Sequence, residues 1–143
     1  MKGSYVLVAE VKENSKIRIG KLGEIDFKKG YYCYVGSALG KSTNLENRTR
    51  RYRKLNKEKS GNIHWHIDYF LVNPNVEIVQ INKINSVQKI ECKISRMFEK
   101  VSEDSVHGFG CSDCKCKSHL YYFNDNIYGK VLDNIDDRIC QEV

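Results

Sequence analysis

The sequence predicts an α+β fold, on three observations. Segments 4–11, 30–36 and 76–82 are short and rich in Val, Ile and Tyr, the pattern of strands. Segments 43–56 and 86–101 repeat apolar residues every three or four positions, the pattern of helices with one buried face. At 143 residues the chain has room for a single domain with one core, here residues 1–143.

Each element follows in order. In 4–11, Tyr5, Leu7, Ala9 and Val11 take one face while Val6 and Val8 take the other, so this strand should lie centrally. Residues 15–28 read as a short hairpin with Gly at its turns. In 30–36, Tyr32 and Tyr34 face one way and Tyr31, Cys33 and Val35 the other. Thr43 and Glu46 have the spacing of a capping box that opens a helix running to about Asn56. Residues 63–72 are ambiguous between a strand and a short helix. A third strand at 76–82 leads into the second helix, with Val87, Ile90, Ile94, Met97, Phe98 and Val101 on its apolar face. A further strand is expected at 118–123. The spacing of Ile127, Val131, Leu132, Ile135 and Ile139 predicts a closing helix.

Composition narrows the setting. No apolar run approaches the roughly 20 residues needed to span a membrane. The strand-like N-terminus has no small-residue cleavage site, which argues against a signal peptide. Six cysteines without a secretory signal point to a reducing cytoplasm, where they serve as core residues, metal ligands or redox groups.

Two anomalies bear on function. Glu91 shares the inner face of its predicted helix, and a carboxylate there is costly unless a cation or several donors meet it. Residues 41–59 carry eight Lys/Arg against two glutamates, a surplus of six that equals the net charge of +6 on the whole chain. Such concentration is the footprint of a phosphate-backbone binder; a solvated basic helix without a partner is the plainer alternative. Within that helix Leu45, Arg48, Tyr52 and Leu55 fall on one stripe, so Arg48 and Tyr52 face inward. Arg50, Arg51 and Arg53 then project sideways or outward and, with Lys41, Lys54 and Lys57, form the expected nucleic-acid surface. Arg48 and Glu91 thus face one site, either as chemistry or as a structural ion pair.

The order Gly3-Ser4-Tyr5, Tyr34-Val35-Gly36-Ser37, Leu45-x-x-Arg48-x-x-x-Tyr52 and then helical Glu91 resembles the GIY-YIG nuclease superfamily. More closely, GYYCYVGSA, HWHIDYFL, EC and GFGCSDCKCKSHLYYF resemble the domain of unknown function 123 group, a distant branch of that superfamily. The resemblance runs over residues 3–123. It implies a small mixed sheet of three core strands flanked by helices, in the order β-β-α-β-α, to which this chain adds a hairpin and a Cys-rich C-terminal loop. It also implies metal-dependent hydrolysis of phosphodiester bonds in DNA, in repair or in the processing of damaged or branched strands. On that reading Glu91 would hold one Mg²⁺ or Mn²⁺ and Arg48 would bind a non-bridging phosphate oxygen. Tyr5 or Tyr34 would orient or deprotonate the attacking water, and Tyr52 would occupy the position where relatives carry His or Tyr.

The third cluster is Cys111, Cys114, Cys116 and His119, ligand types that zinc prefers but at spacings tighter than usual zinc motifs. If 63–69 were a strand, His64, His66 and Asp68 would share one face and border the cleft. Buried cysteines acting as small apolar groups, and histidines bonded within the core, are the plain alternatives. Two functional classes follow: a metal-dependent nuclease, or a basic nucleic-acid-binding module of the same fold with little or no hydrolysis. A redox or zinc-sensing role for the 111–119 loop is a third reading.

Overall fold

The computed structural model describes residues 2–40, 44–85, 90–111, 116–126 and 128–133. Among the described residues the elements follow one another as β1 (Gly3–Val11), β2 (Ser15–Arg18), β3 (Glu24–Phe27), β4 (Gly30–Ala38), α1 (Leu45–Glu58), α2 (His66–Leu71), β5 (Val76–Asn85), α3 (Glu91–Val101), β6 (Asp104–Ser105) and β7 (Leu120–Phe123). Residues 128–133 are also helical, where the apolar spacing of the tail predicts a helix; Ile127, Ile135 and Ile139 lie outside the described residues.

The main sheet has the order β5-β1-β4-β7-β6, and β2 and β3 form a separate ribbon. The α+β class holds, with two differences from the implied sheet. It has five strands rather than three, and each described pairing is antiparallel rather than mixed. The reason is the position of β1. It lies between β4 and β5 and runs against both, so the two strands that run the same way never touch.

Alternation along β1 divides the interior into two cores. Tyr5, Leu7, Ala9 and Val11 join the hairpin, α1, α2 and Phe109 on one side. Val6 and Val8 join Cys33, Val35, α3 and the 128–133 helix on the other. A strand buried on both faces must be apolar at consecutive positions, as residues 5–9 are.

Helix boundaries show what spacing alone misses. α1 is capped by Asn44, whose side chain accepts from the Asn47 N–H at 2.9 Å; Thr43, expected to open the helix, lies outside the described residues. The helix ends at Lys59 in the left-handed region (φ 58°), its ammonium bonded to the carbonyls of Asn73 and Val76. α3 begins at Glu91 rather than residue 86, with 86–89 outside the described residues. Segment 63–72 resolves as the helix α2 rather than a strand. Among the described residues, no helix is long and apolar enough to cross a membrane.

Candidate active site

One end of the β1–β4 pair opens into a cleft of about 560 Å³. Tyr5 comes from β1, Tyr34 and Ser37 from β4, Arg48 and Tyr52 from α1, and Glu91 from the first residue of α3. The turn before α2 adds His64 and Trp65, the first residue of α2 adds His66, and the loop before β7 adds Gly110. The five residues Tyr5, Tyr34, Arg48, Tyr52 and Glu91, chosen from sequence, therefore meet in one cavity.

The phenols are tightly arranged. Tyr5 and Tyr52 share a hydroxyl–hydroxyl bond of 2.7 Å, and the Tyr5 ring lies 5.7 Å from that of Tyr52 and 6.2 Å from that of Tyr34. Gly36 stands opposite Tyr5 across the β1–β4 ladder, and a Cβ there would overlap the Tyr5 hydroxyl and ring. Glycine at this position is thus the condition for Tyr5 to lie over β4. Burial pushes the hydroxyls of Tyr5, Tyr34 and Tyr52 above the ordinary tyrosine range. For Tyr34, the neighbouring Tyr52 and Glu91 push the same way. All three stay protonated at neutral pH and suit donating a hydrogen bond. The expected alternative role of Tyr5 or Tyr34, deprotonating water, runs against this burial.

Arg48 is half-buried at the edge of the phenols. Its guanidinium donates to the Ser37 carbonyl at 3.3 Å and lies 4.4 Å from the centre of the Trp65 ring. Burial works to lower its pKa, but the oxygens of Tyr52 and Tyr5 outweigh it and the cation is favoured. Glu91 is 9% exposed. As the first residue of α3 it sits at the positive end of the helix dipole, which offsets part of the cost of burying a carboxylate. The location in the cleft is as expected; the support comes from the start of a helix rather than the middle of a face.

Two expected site residues serve the fold instead. Arg51 does not point outward. It grips the fully buried Asp68 with two bonds of 2.9 and 2.7 Å and adds a third to the Asn62 carbonyl at 2.8 Å. Asp68 also accepts from the backbone N–H groups of His64 (2.7 Å) and Trp65 (3.0 Å), so it braces the turn into α2 and does not line the cleft. The helical geometry of α2 explains this, because it turns Asp68 into the interior while His64 and His66 remain at the cavity. His66 Nδ1 accepts from the Gly110 N–H at 2.9 Å, and burial lowers the pKa of its imidazole. A neutral ring bonded this way carries its proton on Nε2. Arg50, Arg53, Lys54 and Lys57 are exposed along α1, as expected, while Lys41 lies outside the described residues.

Trp65 and Cys92 had no role assigned from the sequence, and Gly110 was expected only as part of a turn that brings its loop close to the strands. Trp65 is the single tryptophan, 39% exposed, with Arg48 and Arg51 both within 5 Å of its ring centre. Gly110 has φ +74°, and a Cβ there would stand 3.0 Å from the Tyr34 ring. The histidines flanking Trp65 and the Gly-Phe-Gly turn around Phe109 were the available signals. Cys92, Cys116 and His119 form a group whose ligand atoms all lie within 4.8 Å of one another and which could hold a metal ion. Of the four ligands expected from sequence, Cys116 and His119 are in this group. Cys111 is not, its thiol donating instead to the Phe109 carbonyl at 3.4 Å, and Cys114 lies outside the described residues.

No curated protein and no solved structure matches the chain. A family profile does match, over residues 4–139, which takes in every residue of the cleft and of the thiol group. The chain belongs to the family described as Domain of unknown function DUF123.

Proposed function

We propose that this protein is a metal-dependent nuclease that hydrolyses phosphodiester bonds, with DNA as its substrate and the cytoplasm as its setting. The observation that carries the reading is the meeting of Tyr5, Tyr34, Arg48, Tyr52 and Glu91 in one cleft. This is the set that its resemblance to the GIY-YIG superfamily implies. The exposed cations Arg50, Arg53, Lys54 and Lys57 lie along α1, the helix that also supplies Arg48 and Tyr52.

A hydrated Mg²⁺ or Mn²⁺ suits the site, because Glu91 brings one carboxylate to a cavity of about 560 Å³ and such ions keep much of their water shell. Bound there, the cation would stabilise negative charge on the phosphodiester and its departing oxygen. Arg48 binds a non-bridging oxygen, already oriented by Ser37 and Trp65. The protonated phenols and the Nε2–H of His66 donate to the substrate or to the attacking water. His64 also lines the cleft.

One observation favours a second reading, a nucleic-acid-binding module with little hydrolysis. Burial holds all three cleft tyrosines protonated, which leaves the site without a tyrosine base. The deciding experiment is a cleavage assay in Mg²⁺ and Mn²⁺ at low salt on single-stranded, duplex, nicked and branched DNA and on RNA, with Glu91→Gln and Arg48→Ala run beside the wild type. The nuclease reading expects cutting by wild type that both substitutions abolish while binding survives. Salt-dependent binding without cutting selects the binding module. Cutting indifferent to both substitutions marks a contaminant and removes the support for hydrolysis.

A further inference from the structure

We propose that Cys92, Cys116 and His119 hold a zinc ion behind the cleft, and that this ion fixes the first turn of α3 and so the position of Glu91. The metal site stands on its own geometry, whereas its effect on Glu91 rests on the reading of the cleft given above.

The ligand chemistry separates this site from the cleft. Two thiols and an imidazole select zinc over Mg²⁺ or Mn²⁺, which take oxygen ligands. Tetrahedral zinc with bonds of about 2.0–2.3 Å sets its ligand atoms roughly 3.3–3.8 Å apart. The present span of at most 4.8 Å is about 1 Å wider than that spacing. Cys92 and Cys116 are half-buried and border a cavity of about 310 Å³, which gives a cation a route in.

The three ligands come from two pieces of chain that meet at a seam between α3 and β7. Cys92 is the second residue of α3, Cys116 lies in the loop before β7, and His119 directly precedes β7. His119 is buried and its backbone is bonded on both sides. Its N–H donates to the Phe109 carbonyl at 2.9 Å, and its carbonyl accepts from the Val35 N–H at 2.9 Å. One turn further along α3, the Ser95 hydroxyl donates to the Ser118 carbonyl at 2.9 Å. A metal would continue this seam to the beginning of the helix.

That beginning is where the cleft receives its carboxylate. Glu91 precedes Cys92, so a bond to the Cys92 thiolate restrains the backbone that carries Glu91. On the other side, a Cβ at Gly110 would come within 3.3 Å of the His119 Cβ. Gly110 in turn bonds His66 in the cleft. The thiol group therefore backs two walls of the cavity at once.

The test uses the full chain, purified without chelators or a metal-affinity tag, and needs no nucleic acid. Elemental analysis should find about one zinc per chain. Replacement by Co²⁺ should give a thiolate-to-cobalt charge-transfer band and the visible bands of tetrahedral cobalt. Cys92→Ser and His119→Asn should each lower bound zinc about tenfold or more, while Cys111→Ser keeps it. Stripped wild type should melt at a lower temperature, restored by Zn²⁺ and not by Mg²⁺. Should either ligand variant fail to fold, the cobalt titration of stripped wild type still decides. Overturning results are a wild type without zinc or a cobalt–thiolate band, zinc lost in Cys111→Ser but kept in Cys92→Ser, or a Cys92–Cys116 disulfide in protein from a reducing cell. None of these results depends on cleavage, so the zinc site and the nuclease reading can fail separately.

Discussion

Arg48 and Arg51 leave the same helix one turn apart, and both lie against the ring of Trp65, at 4.4 and 4.9 Å. Their surroundings differ in kind. Arg51 is closed off by a carboxylate of its own chain, gripped at two points, and its charge is spent on holding α1 to the turn before α2. Arg48 faces neutral phenols in a cleft open to solvent, where a polar substrate can reach it. A guanidinium among neutral acceptors remains able to bind an anion; one already forked onto a buried aspartate does not. The comparison teaches that partner chemistry, and not burial alone, separates a structural arginine from a functional one.

The sharpest way to break this contrast is to truncate each arginine in turn. Arg51→Ala strands the buried Asp68 with only backbone donors and should lower stability by about 3 kcal/mol, the lower end of the range for an orphaned buried charge because Arg51 itself is partly exposed. Chemical denaturation measures it. If Arg51→Ala were stable but inactive, the assignment of roles would be reversed.

Arg48→Ala should do the opposite. It removes one carbonyl bond and a ring contact, so the stability change should stay near 1 kcal/mol or below. On the nuclease reading, kcat should fall about 10²–10³-fold, the usual loss when a group that meets transition-state charge is removed. The two measurements must be made on the same preparation. A variant that loses activity only because it unfolds would show it in the denaturation curve.

A finer contrast comes from pH, through the bond between His66 and Gly110. Burial lowers the His66 pKa, so the unfolded chain binds its proton at a higher pH than the folded one. Stability should therefore fall as pH drops through about 6.5, the ordinary histidine value, and level off below the folded pKa. His66→Gln keeps an acceptor near the Gly110 N–H and should flatten that part of the profile. A wild-type profile that instead rises on acidification through this window would contradict the bond, since protonated Nδ1 cannot accept.

Particular residues show how much of this could be read from sequence. β1 was legible because a strand buried on both faces is apolar at consecutive positions, and few other elements are. Arg48 and Glu91 were legible because a charge on an inner face demands a reason. Arg51 was misplaced because helical spacing fixes the direction of a side chain and not what waits beside it; Asp68 is distant in sequence and sits on an element whose type was open. A helix of six residues is too short for its period to distinguish it from a strand, which is why 63–72 stayed ambiguous. Cys92 was missed because its fellows lie more than 20 residues away, and only the packing of α3 against the segment before β7 brings them together.

The smallest expected effect lies on the outer face of α1, and it bounds what the basic segment does. Arg50, Arg53, Lys54 and Lys57 are exposed, whereas Arg51 and Lys59 are engaged with the fold and Arg48 faces the cleft. If the exposed four contact phosphates, each releases about one counterion on binding. Lys54→Ala should then reduce the slope of log affinity against log salt by about 1, and affinity at low salt only a few-fold, uniformly across sequences. Stability should be unchanged within about 0.5 kcal/mol, because the side chain is exposed. An unchanged salt slope for Lys54→Ala, together with the loss of binding in Arg48→Ala, would confine recognition to the cleft and leave the outer face of α1 as solvated charge.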